Sequence, residues 1–292
     1  MSTGLAVGGA LGSALCFAVS SVLQQRGASR APLGSGLHLG LLAHLVARPI
    51  WLVGLLAAAG TLVLQTVALA AGPLSLVQPL LVCGLLFALP VSVLLEGRRP
   101  SLVEWAWAAM LVFGLALFLW AARPAPGPAL PDDGRLLELG GAAAVLGVTA
   151  ACVGYGPGRR HRAVLLGVAT GIMYGLTASL VKYTVAVARD DVTDLFTTWP
   201  AYVLVILGGG AILLNQAAFQ AGPLAGALPT TVVMDTIVAI VIAVAAFGER
   251  VRTEPAPLTL QVVGFLAMAF AIFRLARLAS GRGPLTGGLV PV

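Results

Sequence analysis

The chain consists mainly of long apolar stretches separated by short polar turns. About nine of these stretches contain the roughly 20 apolar residues that a helix needs to cross a bilayer. Backbone in lipid must form its hydrogen bonds internally, and a helix does so within one segment. The sequence therefore predicts an all-α, polytopic membrane helix bundle with inverted internal repeats, for which the evidence follows below. The expected spans are residues 4–24, 49–70, 74–95, 102–122, 135–154, 163–187, 199–219, 224–247 and 258–277.

Charged side chains make up only 10% of the chain, whereas a soluble domain has about 25%. A surface this poor in charge needs lipid as its solvent, so the bilayer is the first expected partner. The net charge of +6 comes from basic residues in short runs between apolar stretches, a pattern typical of membrane orientation signals. Nucleic acid is therefore excluded as a partner. The three cysteines include no Cys-x-x-Cys pair, so no disulfide framework is expected, and no cofactor is expected either.

The basic residues are divided unevenly between the two sets of turns, which predicts an outside N-terminus and a cytoplasmic C-terminus in a cell (inner or plasma) membrane. Met1 leads into the first span without a preceding Lys or Arg, so we expect a retained helix and not a cleaved signal peptide. The cytoplasmic set contains Arg26, Arg30, Arg48, Arg98, Arg99, Arg159, Arg160, Arg162, Arg274, Arg277 and Arg282. The outer set contains Arg123, Arg135, Arg189, Arg250 and Arg252, with most of the acids: Asp132, Asp133, Glu138, Asp190, Asp191, Asp194, Glu249 and Glu254.

An internal repeat recurs at a spacing of 150 residues. The segment Gly-Pro-Leu-Ser-Leu-Val-Gln-Pro at 72–79 returns as Gly-Pro-Leu-Ala-Gly-Ala-Leu-Pro at 222–229. An amide precedes each copy, Gln65 in the first and Asn215 in the second. The repeat divides the nine expected helices into two groups of four, with one helix between them. The two groups must therefore cross the membrane in opposite senses, as inverted repeats do in secondary transporters.

The repeat defines the expected organisation of the chain. Residues 1–277 form a single transmembrane transporter domain, with a first four-helix repeat at 4–122, a linking helix at 135–154 and a second repeat at 163–277. Residues 278–292 are rich in Gly and Pro and are expected to form a disordered cytoplasmic tail. Residues 37–46 carry a one-sided leucine stripe, which fits an interfacial amphipathic helix and a plain connecting loop equally well.

Pro79 and Pro229 occupy equivalent positions in the two repeats. Each is expected to remove a backbone hydrogen bond and to break or kink its helix. A carbonyl freed inside a bilayer is tolerated where it faces protein or a wet cavity. Paired prolines therefore favour a polar cavity over a purely structural role.

On these motifs the chain resembles the drug/metabolite transporter (EamA-like) superfamily, over nearly its whole length. The layout of four, one and four helices is similar to the branch of NIPA-type magnesium transporters. The resemblance implies a permease with alternating access that carries a small metabolite or a divalent cation. Gln78 and Leu228, before the repeat prolines, depart from the Thr expected in that branch.

Asp235 is the only carboxylate near the middle of an expected span. A central Asp costs about 2.5–3.5 kcal/mol on insertion, so it should have a compensating contact. We therefore expect a polar midplane site for a substrate, a proton or a cation. The alternative is a structural Asp that bonds a hydroxyl or Lys182, although Lys182 fits a side chain extending outward to the membrane surface slightly better. The candidate substrate- or ion-binding residues are Asp235, Thr231, Asn215, Tyr174, Thr177 and Gln65.

Three functions compete at this stage. A secondary transporter, proton- or cation-coupled, fits the inverted repeat best. A magnesium or divalent cation transporter has the resemblance in its favour, since Mg²⁺ needs only one or two carboxylates; whether a metal binds stays open. A non-transporting structural membrane protein would not need matched prolines, and no catalytic motif indicates an enzyme. The substrate, the coupling ion and the direction of transport are not specified, and a monomer and a homodimer remain alternatives.

Overall fold

The computed structural model describes residues 3–28, 49–96, 101–156, 162–220 and 224–280. Within them the chain forms helices connected by turns, with no strand beyond an isolated bridge between Ala125 and Arg250. The segment 37–46 and most of the predicted tail lie outside the described residues, and residues 278–280 belong to the last helix. The helices are α1 (Thr3–Ala28), α2 (Pro49–Ala71), α3 (Leu74–Leu81), α4 (Cys83–Glu96), α5 (Leu102–Ala122), α6 (Asp133–Tyr155), α7 (Arg162–Asp190), a 3-10 turn (Val192–Phe196), α8 (Trp199–Gln220), α9 (Leu224–Ala245) and α10 (Pro255–Ser280).

Six helices are long and apolar enough to cross a membrane, namely α1, α2, α5, α6, α7 and α10. Shorter apolar helical segments lie at Leu74–Ala88, Trp199–Asn215 and Pro229–Ala245. Large apolar side chains cover the outside of the bundle, as at Leu56, Val205 and Ile206, each more than 70% exposed. Such a surface is expected to face lipid. The predicted all-helical class is therefore confirmed for the described part of the chain, and its six long apolar helices fit a protein embedded in a membrane.

Helix α7 lies at the centre of the second half and packs against α2, α3, α6, α8 and α9. Its contact with α9 is unusually close because Gly167, Gly171 and Gly175 form one stripe at four-residue spacing. A Cβ added at Gly171 would lie 2.8 Å from the Cβ of Met234 and 3.0 Å from the backbone nitrogen of Asp235. Small residues of this kind let two helix backbones approach each other in lipid.

A similar stripe occurs on α1 in the first half. Ala10, Ala14 and Ala18 are fully buried at the same four-residue spacing. The backbone of Ala14 lies against Gly84 of α4, where an added Cβ would be 3.1 Å from the Ala14 carbonyl oxygen. Each half therefore contains a helix of small residues packed tightly on a neighbour, which is the packing that transmembrane interfaces favour.

Helices α5 and α10 cross each other at Gly114 and Gly264, which are 150 residues apart, the spacing of the sequence repeat. A Cβ added to either glycine would lie 2.8 Å from the carbonyl oxygen of the other. The surrounding contacts are reciprocal, since Gly114 faces the backbone nitrogen of Met268 and Gly264 faces that of Phe118, each at 2.8 Å. Met268 and Phe118 are also 150 residues apart. Helices α5 and α10 are therefore antiparallel, and each makes the same contacts with the other.

The prolines of the repeat have different effects on their helices. Pro79 is followed by an interruption at Val82, where the chain forms tighter bonds from the Val82 N–H to the Pro79 carbonyl and from the Leu85 N–H to the Val82 carbonyl. Bonds between residues three apart are typical of a 3-10 turn. Span 74–95 of the sequence analysis is thus two helices, α3 and α4. Pro229 leaves α9 continuous.

The turns after α2, α5, α7 and α9 meet at one end of the bundle. Ala125 and Arg250 exchange two backbone hydrogen bonds of 2.9 and 3.1 Å, and the Asp132 N–H donates to the Ala246 carbonyl at 2.8 Å. The Arg189 guanidinium donates to the Ala70 carbonyl. These turns are the ones that the sequence analysis assigned to a single side of the membrane.

A Gly→Ala substitution inside the α7–α9 contact and one outside it are expected to have different effects on stability. Gly171→Ala would place a methyl against the Thr231 carbonyl and the α9 backbone, and we expect it to lower the free energy of unfolding by about 1–3 kcal/mol. Gly209→Ala on α8 has nothing within 4 Å of the added Cβ, so higher helix propensity should leave stability unchanged or raised. Thermal unfolding of the two purified variants in detergent measures the difference, and equal melting temperatures would contradict the close contact.

Candidate functional site

Asp235 lies on the face of α9 that points into the protein. Ile237, Val241 and Val244 are the exposed residues of this part of the helix, and at 3.6 residues per turn Asp235 lies on the opposite side. Its side chain keeps some accessible surface, while its Oδ1 atom is buried without a hydrogen-bond partner in the described part of the chain. A buried carboxylate oxygen without a donor is costly, and this is the chemistry expected of a site that receives a proton, a cation or a polar solute.

Helix α7 provides the wall that faces Asp235. The backbone of Asp235 packs against Gly171 and Gly175, and Tyr174 between them is close enough to interact electrostatically with the carboxylate. Tyr174 shares a helix face with Ala178 and Val181, two members of the central apolar cluster. The structure therefore brings Tyr174 and Asp235 together, as the sequence analysis expected.

The two candidate threonines already use their hydroxyl protons. Thr231 donates to the Gly167 carbonyl at 3.0 Å, which joins α9 to α7. Thr177 donates to the Met173 carbonyl of its own helix at 2.7 Å. Each hydroxyl oxygen can still accept a hydrogen bond. Thr231 can therefore accept a hydrogen bond from a solute near Asp235, whereas the methyl of Thr177 faces α8, 3.8 Å from a Cβ added at Gly208.

The two repeat amides lie away from Asp235. Residues on either side of Asn215 pack with Leu166 and Ala227, and Ala227 is eight residues from Asp235 on α9, or about 12 Å. Gln65 is half-buried on α2, between Thr61 and Ala68 on the side that packs against α1. Neither amide is therefore placed beside the carboxylate in this conformation.

Gln78 is a polar residue that the sequence analysis noted only as a departure from a family pattern. It is 1% exposed, and both of its amide atoms lack a hydrogen-bond partner in the described residues. It precedes Pro79, whose missing N–H also leaves the Ser75 carbonyl without its usual helical donor. A polar amide beside a proline inside an apolar span was a detectable signal, since polar groups within a membrane often mark functional sites.

A second group of buried polar residues lies at the end of the bundle where the turns meet. The Glu249 carboxylate, 2% exposed, accepts hydrogen bonds from the N–H groups of Leu74 at 2.6 Å and Ser75 at 2.8 Å. The Ser75 hydroxyl also donates to it. Glu249 thereby caps the N-terminus of α3, where the helix dipole stabilises a negative charge.

Lys182 completes this cluster by forming a buried ion pair with Glu249. Its ammonium group also lies 4.9 Å from the centre of the Phe247 ring, within the range of a cation–π interaction. Both expectations for Lys182, extension toward the membrane surface and pairing with Asp235, are therefore replaced by an interaction with an acid 67 residues away. We call Ser75, Lys182, Phe247 and Glu249, with the N-terminus of α3, the capping cluster.

Gln78 lies between the capping cluster and Asp235 in depth. It is four residues, or about 6 Å, along α3 from Leu74, which contacts Glu249. Asp235 is ten residues before the end of α9, or about 15 Å from that end of the helix, and so lies deeper than Gln78. The described residues contain no group of three His, Cys, Asp or Glu side chains that could hold a metal ion.

Comparison with known proteins gives one relative and no function. The chain is 31% identical over 275 residues to the "Uncharacterized protein Cgl0250/cg0304" of Corynebacterium glutamicum, an alignment that covers 94% of this chain and 95% of the relative. No family model matches the chain. No solved structure matches it either.

Proposed function

We propose, from the site around Asp235, that this protein is a secondary transporter of the drug/metabolite transporter type. It moves a small solute across the cell membrane by alternating access. The chain belongs to the same family as the Corynebacterium glutamicum protein. The observation that carries the proposal is Asp235, an interior carboxylate with a buried oxygen atom that no donor of the described chain satisfies. Intramembrane acids of this kind mark substrate, ion or proton pathways.

Nine crossings arranged as two inverted repeats are part of the proposal. The six long helices together with the α3–α4 pair, α8 and α9 make up the nine. The reciprocal contact of Gly114 with Gly264 supports an axis at the α5–α10 crossing. Because those helices are antiparallel, the axis is perpendicular to them and lies in the membrane plane, which is the symmetry of inverted-repeat transporters.

The orientation follows from the arginine count. We assign the end that contains the capping cluster to the outside of the cell, because the turns there have the fewer arginines. Residues on the described turns of that end are hydrogen-bonded through their backbones, Ala125 with Arg250 and Asp132 with Ala246, which supports placing these turns together on one side.

A proton or a cation is the proposed coupling species at Asp235. Tyr174 supplies a hydroxyl at the same depth, and Thr231 supplies an acceptor oxygen one turn from Asp235 along α9. The alternative cargo is Mg²⁺, which retains several of its waters and requires only one or two carboxylates. In that case Asp235 is the carboxylate that the hydrated ion contacts.

A thermal-shift screen of the purified protein against Mg²⁺, Ca²⁺ and a panel of small metabolites tests the proposal and distinguishes a metabolite from a divalent cation as the substrate. A ligand that binds the native state raises apparent stability by mass action, by about 2.7 kcal/mol at one hundred times its Kd. We expect a metabolite from the panel to raise the melting temperature of the wild type and to lose most of this effect in Asp235→Asn. A Mg²⁺-specific rise, absent with Ca²⁺, would favour the divalent cation. Equal responses of wild type and variant to every ligand would argue against a site at Asp235.

A further inference from the structure

The capping cluster joins the two halves of the chain at one end. Ser75 and Leu74 belong to the first half, whereas Lys182 and Glu249 belong to the second. The hydrogen bonds from Leu74 and Ser75 to Glu249 therefore run across the junction between the halves. Cluster residues are also buried, with Ser75 at 1%, Glu249 at 2% and Lys182 at 9% exposure.

The hydrogen bonds that Glu249 accepts from α3 form only when the two halves are together, whereas its ion pair with Lys182 lies within the second half. Glu249 receives three hydrogen bonds and a positive charge from its partners. If α3 moves away, its two N–H donors lose their acceptor and the carboxylate loses its cap. Charge-assisted hydrogen bonds are the stronger class, so the cluster stabilises the conformation in which this end is closed.

The path inward from the cluster leads to the proposed solute site. Ala178 lies one turn from Lys182 and one turn from Tyr174, on the same face of α7, and is 3% exposed. Gln78 lies at an intermediate depth on α3. A solute that travels between the outer surface and Asp235 must pass the level at which the cluster closes the bundle.

We infer that the capping cluster is the outer gate of the transporter, a latch that opens when Glu249 releases the N-terminus of α3. This inference rests on the proposed function. The latch holds an outward-closed conformation, and its release exposes Ala178, Gln78 and Asp235 to the outside. The carboxylate of Glu249 is the moving contact, because among the described residues it is the group that bonds both α3 and Lys182.

The test measures the outside accessibility of a cysteine placed below the latch. Cys16, Cys83 and Cys152 are first replaced by Ala, and Ala178→Cys is introduced as the reporter. In intact cells a membrane-impermeant methanethiosulfonate reagent should label this cysteine slowly. With Glu249→Gln we expect labelling about tenfold faster, because the loss of a charge-assisted hydrogen bond shifts the population toward the open state. Ser75→Ala removes only the hydroxyl bond and should give a smaller increase.

The charge reversal Lys182→Glu with Glu249→Lys distinguishes a latch from a simple ion pair. The exchanged charges can still attract each other, but the new ammonium would face the N–H donors of Leu74 and Ser75. We therefore expect fast labelling to persist in the reversal. Restoration of slow labelling would show that the cap on α3 is not the closing contact.

Asp132→Asn is the matched control at the same end. Its carboxylate also caps a helix, since Asp132 accepts from the Arg135 N–H at 3.0 Å, but both groups belong to the same helix terminus. Labelling should stay at the rate of the reporter alone. If Glu249→Gln is not monodisperse after purification, the double variant with Lys182→Met, which leaves no unpaired buried charge, replaces it with the same expected increase.

The outcomes separate the latch from the transport function. Labelling of Glu249→Gln at the control rate overturns the latch even if the protein transports. Faster labelling only in inverted vesicles overturns the assignment of the cluster to the outer side. Faster labelling from outside in a protein that transports no member of the panel supports the latch and leaves the proposed function contradicted.

Discussion

Replacing Lys182 by Met should lower the free energy of unfolding by about 3–5 kcal/mol, because it leaves the buried Glu249 carboxylate without its counter-charge. Both partners are almost inaccessible to solvent, at 10% and 0% for the side chains. Exposed ion pairs contribute far less. Thermal unfolding of the purified variant in detergent measures the effect, seen as a large fall in melting temperature.

The double variant with Glu249→Gln should recover much of this loss. It removes the unpaired charge, and the amide oxygen of Gln can still accept from the N–H groups of Leu74 and Ser75. Arg135→Met is the control for removing a basic residue at the same end, since Arg135 is exposed and should change stability by less than about 0.5 kcal/mol. A Lys182→Met variant as stable as this control would show that the ion pair contributes little.

Replacing Asp235 by Asn should abolish coupled transport while leaving the protein folded in the membrane. Asn keeps the shape of Asp and part of its hydrogen bonding, but an amide can neither carry a proton nor neutralise a cation. Uptake into proteoliposomes of a solute identified in the thermal-shift screen should fall to the level of empty vesicles. Any dependence of binding on pH that arises from this carboxyl group should also be lost between about pH 5.5 and 8, because Asn does not titrate.

A conservative variant and a control variant accompany this experiment. Asp235→Glu keeps the charge with a longer reach and should retain part of the activity. Thr236→Val removes a neighbouring buried hydroxyl whose hydrogen bond among the described residues is to the Val232 carbonyl of its own helix, at 2.9 Å, and this variant should transport normally. Wild-type transport by Asp235→Asn across this pH range would make Asp235 a structural contact.

The membrane helices were largely predictable because one physical requirement, apolar length, determines them. The expected span 102–122 coincides with α5, and the expected span 49–70 differs from α2 by one residue. The position of Asp235 on an interior face was also accessible, since helical spacing relates it to Thr231. The place where α3 ends was not, because the loss of the Pro79 N–H is accommodated three residues later, at Val82.

The capping cluster could not be derived from the sequence by the same reasoning. Lys182 and Glu249 are 67 residues apart, so no helical period relates them. Glu249 was one of several acids in the outer turns, and the count of charges gave no reason to single it out. Its partners on α3 became apparent only when the fold placed the turn after α9 over the Gly-Pro segment of the first half.

The crossing of α5 and α10 has a mechanical consequence. Two backbones that touch at Gly114 and Gly264 act as a pivot, because a rotation about this point leaves the contact itself in place. Displacement grows with distance from a pivot, and the edge of the hydrocarbon core is about 15 Å from its centre. A rotation of only about 4° moves atoms at that distance by about 1 Å, enough to break a hydrogen bond there. A small rocking motion about these glycines would therefore be enough to break hydrogen bonds at the membrane surface.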